Sequence, residues 1–245
     1  MSPVHRERRG EVALLTIDRQ ERRNAVDHAT LVELGDAIDA IDAAGDARAL
    51  VLTGAGGHFC AGADLTGVED AAFAGVLRRV LEALGTVPFP TVAAVEGVAL
   101  GAGTQLAAAC DLRVATPDAR FGIPAARLGL MVDEWTVDRI ARLAGEGTAR
   151  AMLLAAEVVA GADAHRVGFV QRLGGLDAAV AWAGEIAALA PLTIAGHKLA
   201  LRRRVPPVPE DPDVAAALRQ AWGSDDLREG MAAFRERRPP RFEGR

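Results

Sequence analysis

A chain of 245 residues that is 50% hydrophobic, 25% charged and 4% aromatic can bury a sizeable core as one domain, or as one domain with a helical appendage, which excludes a disordered chain. Its formal net charge of -5 offers no basic face for a phosphate backbone, so nucleic acid is not an expected partner. Cys60 and Cys110 are the only cysteines, too few and too far apart for a disulfide framework, and no His/Cys/Asp spacing suggests a metal, so a reduced, cytoplasmic setting is expected.

In chain order, Met1 to Arg9 lacks the apolar centre of a signal peptide. Val12–Ile17 reads as a strand; Leu31, Leu34, Ile38 and Ile41 then share one helical face, with Asp27 placed to cap it. Ala49–Thr53 is the next strand, and Phe73, Val76, Leu77, Val80, Leu81 and Leu84 mark an amphipathic helix ending near Gly85. Pro88 and Pro90 punctuate the passage to strand 91–95. Residues 91–110 are the most apolar stretch, but Glu96, Gln105 and three glycines make them a buried segment rather than a transmembrane one. After Asp111–Ala115 the pattern turns mostly helical, over roughly 133–144, 147–156, 177–189, 192–203, 212–222 and 225–237. The β-then-α order implies an α/β fold with parallel strands and covering helices. The proline-rich run Val205–Pro212 forbids a continuous helix there.

Two segments carry chemistry. His58-Phe59-Cys60-Ala61-Gly62-Ala63-Asp64-Leu65 follows strand 49–53, and Glu96 to Leu106 follows strand 91–95 and turns through glycines into a helix start. Each leaves backbone N–H groups facing outward, where a carbonyl or developing oxyanion can sit.

Together the two segments resemble the signature of the crotonase (enoyl-CoA hydratase/isomerase) family, and the resemblance runs over nearly the whole chain. It implies an α/β fold, a ClpP/crotonase-like spiral of ββα units over residues 1–190, with a C-terminal helical segment at 191–245 that serves oligomerisation and covers the acyl site. It also implies a homo-oligomer, a trimer that can pair as a hexamer. The ligand or substrate implied is a coenzyme A thioester, with no separate cofactor. The resemblance assigns the oxyanion hole to the N–H groups of Ala63 and Ala102. Glu21-Arg22-Arg23-Asn24-Ala25-Val26 resembles the family's early CoA loop, so Arg22, Arg23 and Ala25, with Ala61, Asp64 and Leu65, are the CoA-binding candidates. Leu130, Met131 and Trp135 are candidates to line the acyl pocket. The usual middle glycine of the second loop is Ala102 here, which still presents its N–H if φ stays negative.

The departures concern proton transfer. Hydratases of this family use two glutamates, one in the helix after the second loop and one after the Pro of a Phe-Gly-x-Pro-Glu pattern; here the positions hold Gln105 and, after Phe121-Gly122-Ile123-Pro124, Ala125. An amide positions a water or a polar acyl group but cannot cycle a proton. One carboxylate remains nearby, Asp133, at a position where relatives carry a catalytic acidic residue; equally, it caps the helix that follows. Three readings stay open: an acyl-CoA-binding, hydratase-like protein of fatty acyl-CoA metabolism with weak or absent hydratase activity; an isomerase or related proton-transfer enzyme using Asp133; and a non-catalytic carrier delivering acyl-CoA to a partner protein.

Overall fold

A computed structural model describes residues 2–64, 71–203 and 211–244 of the chain. The elements are β1 (Val4–Arg9), β2 (Val12–Ile17), α1 (His28–Ala44), β3 (Ala49–Gly54), α2 (Ala71–Thr86), β4 (Thr91–Val95), β5 (Val98–Leu100), α3 (Ala102–Ala109), β6 (Leu112–Ala115) and β7 (Arg120–Gly122). They continue with α4 (Glu134–Ala144), α5 (Glu146–Leu154), β8 (Val158–Ala160), α6 (Gly161–Arg166), β9 (Arg172–Leu173), α7 (Leu176–Ala187), α8 (Pro191–Arg203), α9 (Pro212–Gly223) and α10 (Asp225–Glu236). They group into two units, Met1–Phe121 with Ala160–Val205 and Gly122–Val159 with Pro206–Arg245. Residue 190, where the sequence reading divides the chain, lies inside the first unit between α7 and α8. Most of the proline-rich run, residues 205–210, lies outside the described residues.

The first unit is built on a six-stranded sheet in the order β1-β2-β3-β4-β6-β9, with β1 antiparallel to β2 and the remaining pairs parallel. The continuous apolar runs of β2, β3 and β4 follow from burial on both faces, as parallel sheets require. Register aligns Leu14, Val51, Val92 and Leu112 in one row. Ala179, Ala183 and Ala187 of α7 pack on that face, their four-residue spacing giving the helix a stripe of small side chains that lets it sit close to the strands. The neighbouring row, Leu15, Leu52, Ala93 and Arg113, points to the opposite side, where α1 and α2 pack on each other and α3 contacts both α2 and β4.

In the second unit, a 3-10 turn at Pro124–Leu128 leads to Gly129, whose φ of 68° lies in the left-handed region that favours glycine. Its backbone meets the start of α10, and a Cβ on Gly230 would stand 2.5 Å from the Leu128 carbonyl oxygen. Trp222 of α9 donates its indole N–H to the Met131 carbonyl at 3.0 Å. Among the described residues no single helix is long and apolar enough to cross a membrane.

Candidate active site

Three loops of the first unit meet edge to edge. The first follows β2: Arg23 (φ 50°) and Asn24 (φ 59°) take left-handed conformations, which Asn tolerates and Arg accepts only under constraint. The constraint is Asn24, which is fully buried. Its amide nitrogen donates to the Ala55 and His58 carbonyls at 2.8 and 2.6 Å, and its Oδ1 accepts from the Arg19 N–H at 2.9 Å. The second loop, ahead of Leu65, is stitched to the first by Ala61 N–H to Arg23 O (3.0 Å), Val26 N–H to Gly62 O (2.8 Å) and Asp64 N–H to Val26 O (2.8 Å). On its other edge Cys60 N–H donates to Val98 O at 2.9 Å and Leu100 N–H to Cys60 O at 3.0 Å, tying it to β5 and the third loop.

Glycines permit this approach. A Cβ on Gly103 would lie 2.1 Å from the Cys60 carbonyl oxygen, and one on Gly62 would lie 3.1 Å from the Leu100 carbonyl oxygen. Gly101, at φ 51° and ψ -117°, turns the chain into α3, and its would-be Cβ faces the Gly62 Cα at 3.9 Å. The left-handed step thus falls on Gly101 and Ala102 starts the helix at negative φ, as the alanine there requires.

The hydrogen-bond pattern leaves two amides of these loops without a backbone acceptor among the described residues. At the bridge between Val26 and Ala63 the groups used are Gly62 O and Asp64 N–H, which turns the Ala63 N–H away from Val26. Ala102 is the first residue of α3, and the carbonyl four residues back, that of Val98, is taken by Cys60. Among the described residues no backbone acceptor meets either N–H. Both peptide units are polarised from behind: Gly62 O accepts from Val26 N–H and from the Cys60 thiol at 3.6 Å, and Gly101 O accepts from Gln105 N–H at 3.1 Å. Burial pushes the Cys60 thiol up to about 12, despite hydrogen bonds that oppose it, so it stays a neutral donor. Among the described residues no group of three or more His, Cys, Asp or Glu side chains could hold a metal.

The family follows from comparison. The enoyl-CoA hydratase/isomerase family model matches residues 7–245. The chain belongs to that family. It is 46% identical over 239 residues to "Probable enoyl-CoA hydratase echA6" of Mycobacterium tuberculosis, covering 95% of this chain and 96% of the relative. It is 32% identical to the 2,3-dehydroadipyl-CoA hydratase of Escherichia coli over the whole of both chains. The solved carnitinyl-CoA hydratase from Mycobacterium avium superposes with a TM-score of 0.89 at 33% identity, covering 100% of each chain. The α/β fold is therefore the crotonase fold, and the role is that of an enoyl-CoA hydratase-like protein of acyl-CoA metabolism.

Against this enoyl-CoA hydratase/isomerase background, the remaining candidates take definite places. Arg22 and Arg23 are exposed, with no ion-pair partner among the described residues; Ala25 and Ala61 are half-buried, and Ala61 donates its N–H to the Arg23 carbonyl. Asp64 is not a solvated carboxylate: its side chain is 8% exposed and pairs with Arg19 at 3.1 Å. Leu65 lies outside the described residues. Gln105, on the first turn of α3, is 8% exposed. In the second unit Ala125 sits in the 3-10 turn, and Asp133 caps α4, accepting from the Thr136 N–H at 3.0 Å and from its hydroxyl. Leu130, Met131 and Trp135 are half-buried around that cap. Sequence reasoning missed Arg19, because nothing local marks an arginine whose partners lie up to 45 residues away.

Proposed function

We propose that the chain binds acyl-CoA thioesters, with the carbonyl oxygen on the N–H groups of Ala63 and Ala102, and that its hydratase activity is weak or absent. The observation that carries this reading is the pair of amides left without backbone acceptors on loops welded together by glycines, beside an α3 whose first turn presents Gln105 where a glutamate would stand. Two backbone donors stabilise an enolate oxygen, each worth roughly 10²–10³-fold in rate when correctly aimed. Hydration also requires a base to take a proton from water as its oxygen bonds to the β-carbon, and an acid to protonate the α-carbon. Neither Gln105 nor Ala125 does either. The exposed Arg22 and Arg23 suit the phosphates of the nucleotide, and a cytoplasmic homotrimer or hexamer, serving a partner in acyl-CoA handling, completes the reading.

The test is a panel of saturated and unsaturated acyl-CoAs, with binding and product followed together. Binding in the micromolar range, about -8 kcal/mol, is expected, with the free acids far weaker. Hydration should fall several orders of magnitude below the ordinary enzyme turnover of ~1–10³ per second. Gln105→Glu combined with Ala125→Glu should raise it. A wild-type turnover within that ordinary range would overturn the assignment of the proton-transfer positions.

A further inference from the structure

Arg19 stands where the first loop meets the second, bonded across to Asp64 and to the Ala25 carbonyl. Its side chain is 16% exposed. Nη2 lies 2.9 Å from Asp27 Oδ2 and 3.1 Å from Asp64 Oδ2, and Nη1 donates to the Ala25 carbonyl. Its backbone is held as well: the carbonyl accepts from the Arg22 and Asn24 N–H groups, both at 2.9 Å, and the N–H donates to Asn24 Oδ1. The carboxylates it joins have separate attachments. Asp27 caps α1 through the Thr30 N–H and hydroxyl at 2.8 and 2.7 Å. Burial works against its charged form, but those bonds and Arg19 outweigh it and hold the carboxyl below its usual range. Asp64 is the residue after Ala63, and its own N–H is one of the two bonds that fix the Val26–Ala63 bridge.

We infer that Arg19 is a positioning residue: it locks the CoA-side loop, residues 19–27, to the peptide that presents the Ala63 N–H, and so sets the aim of that oxyanion donor. This inference rests on the acyl-CoA reading above. One guanidinium meets two carboxylates and a carbonyl with a rigid planar fork, which the single ammonium of lysine cannot reproduce. Without it, Asp27 and Asp64 would lose the cation they share, and Asp64 is almost out of water. Like charges in that setting separate or take up a proton, and either response loosens the bridge that holds Ala63. An oxyanion donor acts through its fixed direction, so a loosened peptide loses polarising power even though its N–H survives.

The experiment reads carbonyl polarisation directly. A conjugated dienoyl-CoA bound to the wild-type protein should show a red-shifted absorption and a lowered thioester carbonyl stretch. Arg19→Lys should lose most of that shift and bind at least about tenfold more weakly, and Arg19→Met should lose it entirely. If Arg19→Met does not fold, the triple variant Arg19→Met, Asp27→Asn, Asp64→Asn removes both carboxylates that Arg19 joins and is read in its place. In each folded variant, amide exchange at Val26 and Asp64 should quicken relative to wild type. A folded variant without Arg19 that keeps the full shift and the wild-type exchange at Val26 and Asp64 overturns the inference while leaving acyl-CoA binding intact. A wild-type protein that binds the dienoyl-CoA with no shift overturns instead the oxyanion assignment on which it rests.

Discussion

Asp133 accepts from the Thr136 N–H and hydroxyl, and both bonds depend on an oxygen acceptor at the start of α4 rather than on a negative charge. A capping Asp is replaced by Asn with little loss and by Ala at a cost of about 1 kcal/mol. Asp133→Ala should therefore lower the unfolding free energy by that amount and Asp133→Asn by much less, measured by chemical denaturation. In neither variant, nor in wild type, should a bound 3-enoyl-CoA exchange its acidic hydrogens with solvent deuterium. Exchange in wild type that disappears in Asp133→Asn would make this residue a base and favour the isomerase reading. Residues at this scale were legible in the sequence where their role is local: Asp27 and Asp133 precede apolar periodic segments and both cap helices. Arg113 and Arg19 were not. Arg113 is wholly buried and donates to the carbonyls of Ala107, Cys110 and Phe169, partners that only the folded chain brings together.

At the scale of elements, the start of α3 is defined by how closely it lies on the loop before it. An alanine at Gly103 would place its Cβ 2.1 Å from the Cys60 carbonyl, a backbone atom that cannot swing aside, so helix or loop must shift. Gly103→Ala should destabilise the fold by roughly 1–3 kcal/mol and reduce the polarisation of a bound thioester with it. Gly75, exposed within α2, is the control: nothing lies within 4 Å of its would-be Cβ, and alanine there should stabilise by about 0.5–1 kcal/mol. Gly75→Ala matching Gly103→Ala in a thermal melt would mean the approach at Cys60 is looser than 2.1 Å implies. The same physics explains which elements could be read beforehand. Strands β2, β3 and β4 are buried on both faces and written in apolar residues, whereas β1 buries only Val4 of Val-His-Arg-Glu-Arg-Arg and reads as a polar terminus. Its exposed charges suit an edge strand, where they discourage pairing with another chain. The two-residue β9 and three-residue β7 and β8 are too short to carry a period.

At the scale of the molecule, burial is distributed unevenly, and stability should follow it. The sheet strands β2 to β4 lie between helices, while α8 buries none of its residues and exposes Leu192 by 87%, with Leu199 and Leu201 also open and Leu189 just before it. Lys198 fastens this helix, pairing with Asp111 at 2.7 Å and donating to the Leu84 and Phe89 carbonyls. A helix of 13 residues that buries none of them is marginal in water unless something covers its apolar side chains. The proposed homo-oligomer would supply such a cover, and no pattern within one chain reveals it, because a leucine awaiting a partner reads like one awaiting its own core. Hydrogen exchange should thus find the amides of Leu14, Leu52 and Ala93 the slowest at every protein concentration. Amides of α8 should exchange quickly in dilute protein and slow as concentration rises, in step with the mass from light scattering. Leu192→Glu with Leu201→Glu should hold the protein at the mass of one chain and keep α8 fast, without altering the sheet. Concentration-independent exchange in α8, with a constant single-chain mass, would mean that contacts within one chain keep the helix in place and that these leucines face water in the working protein.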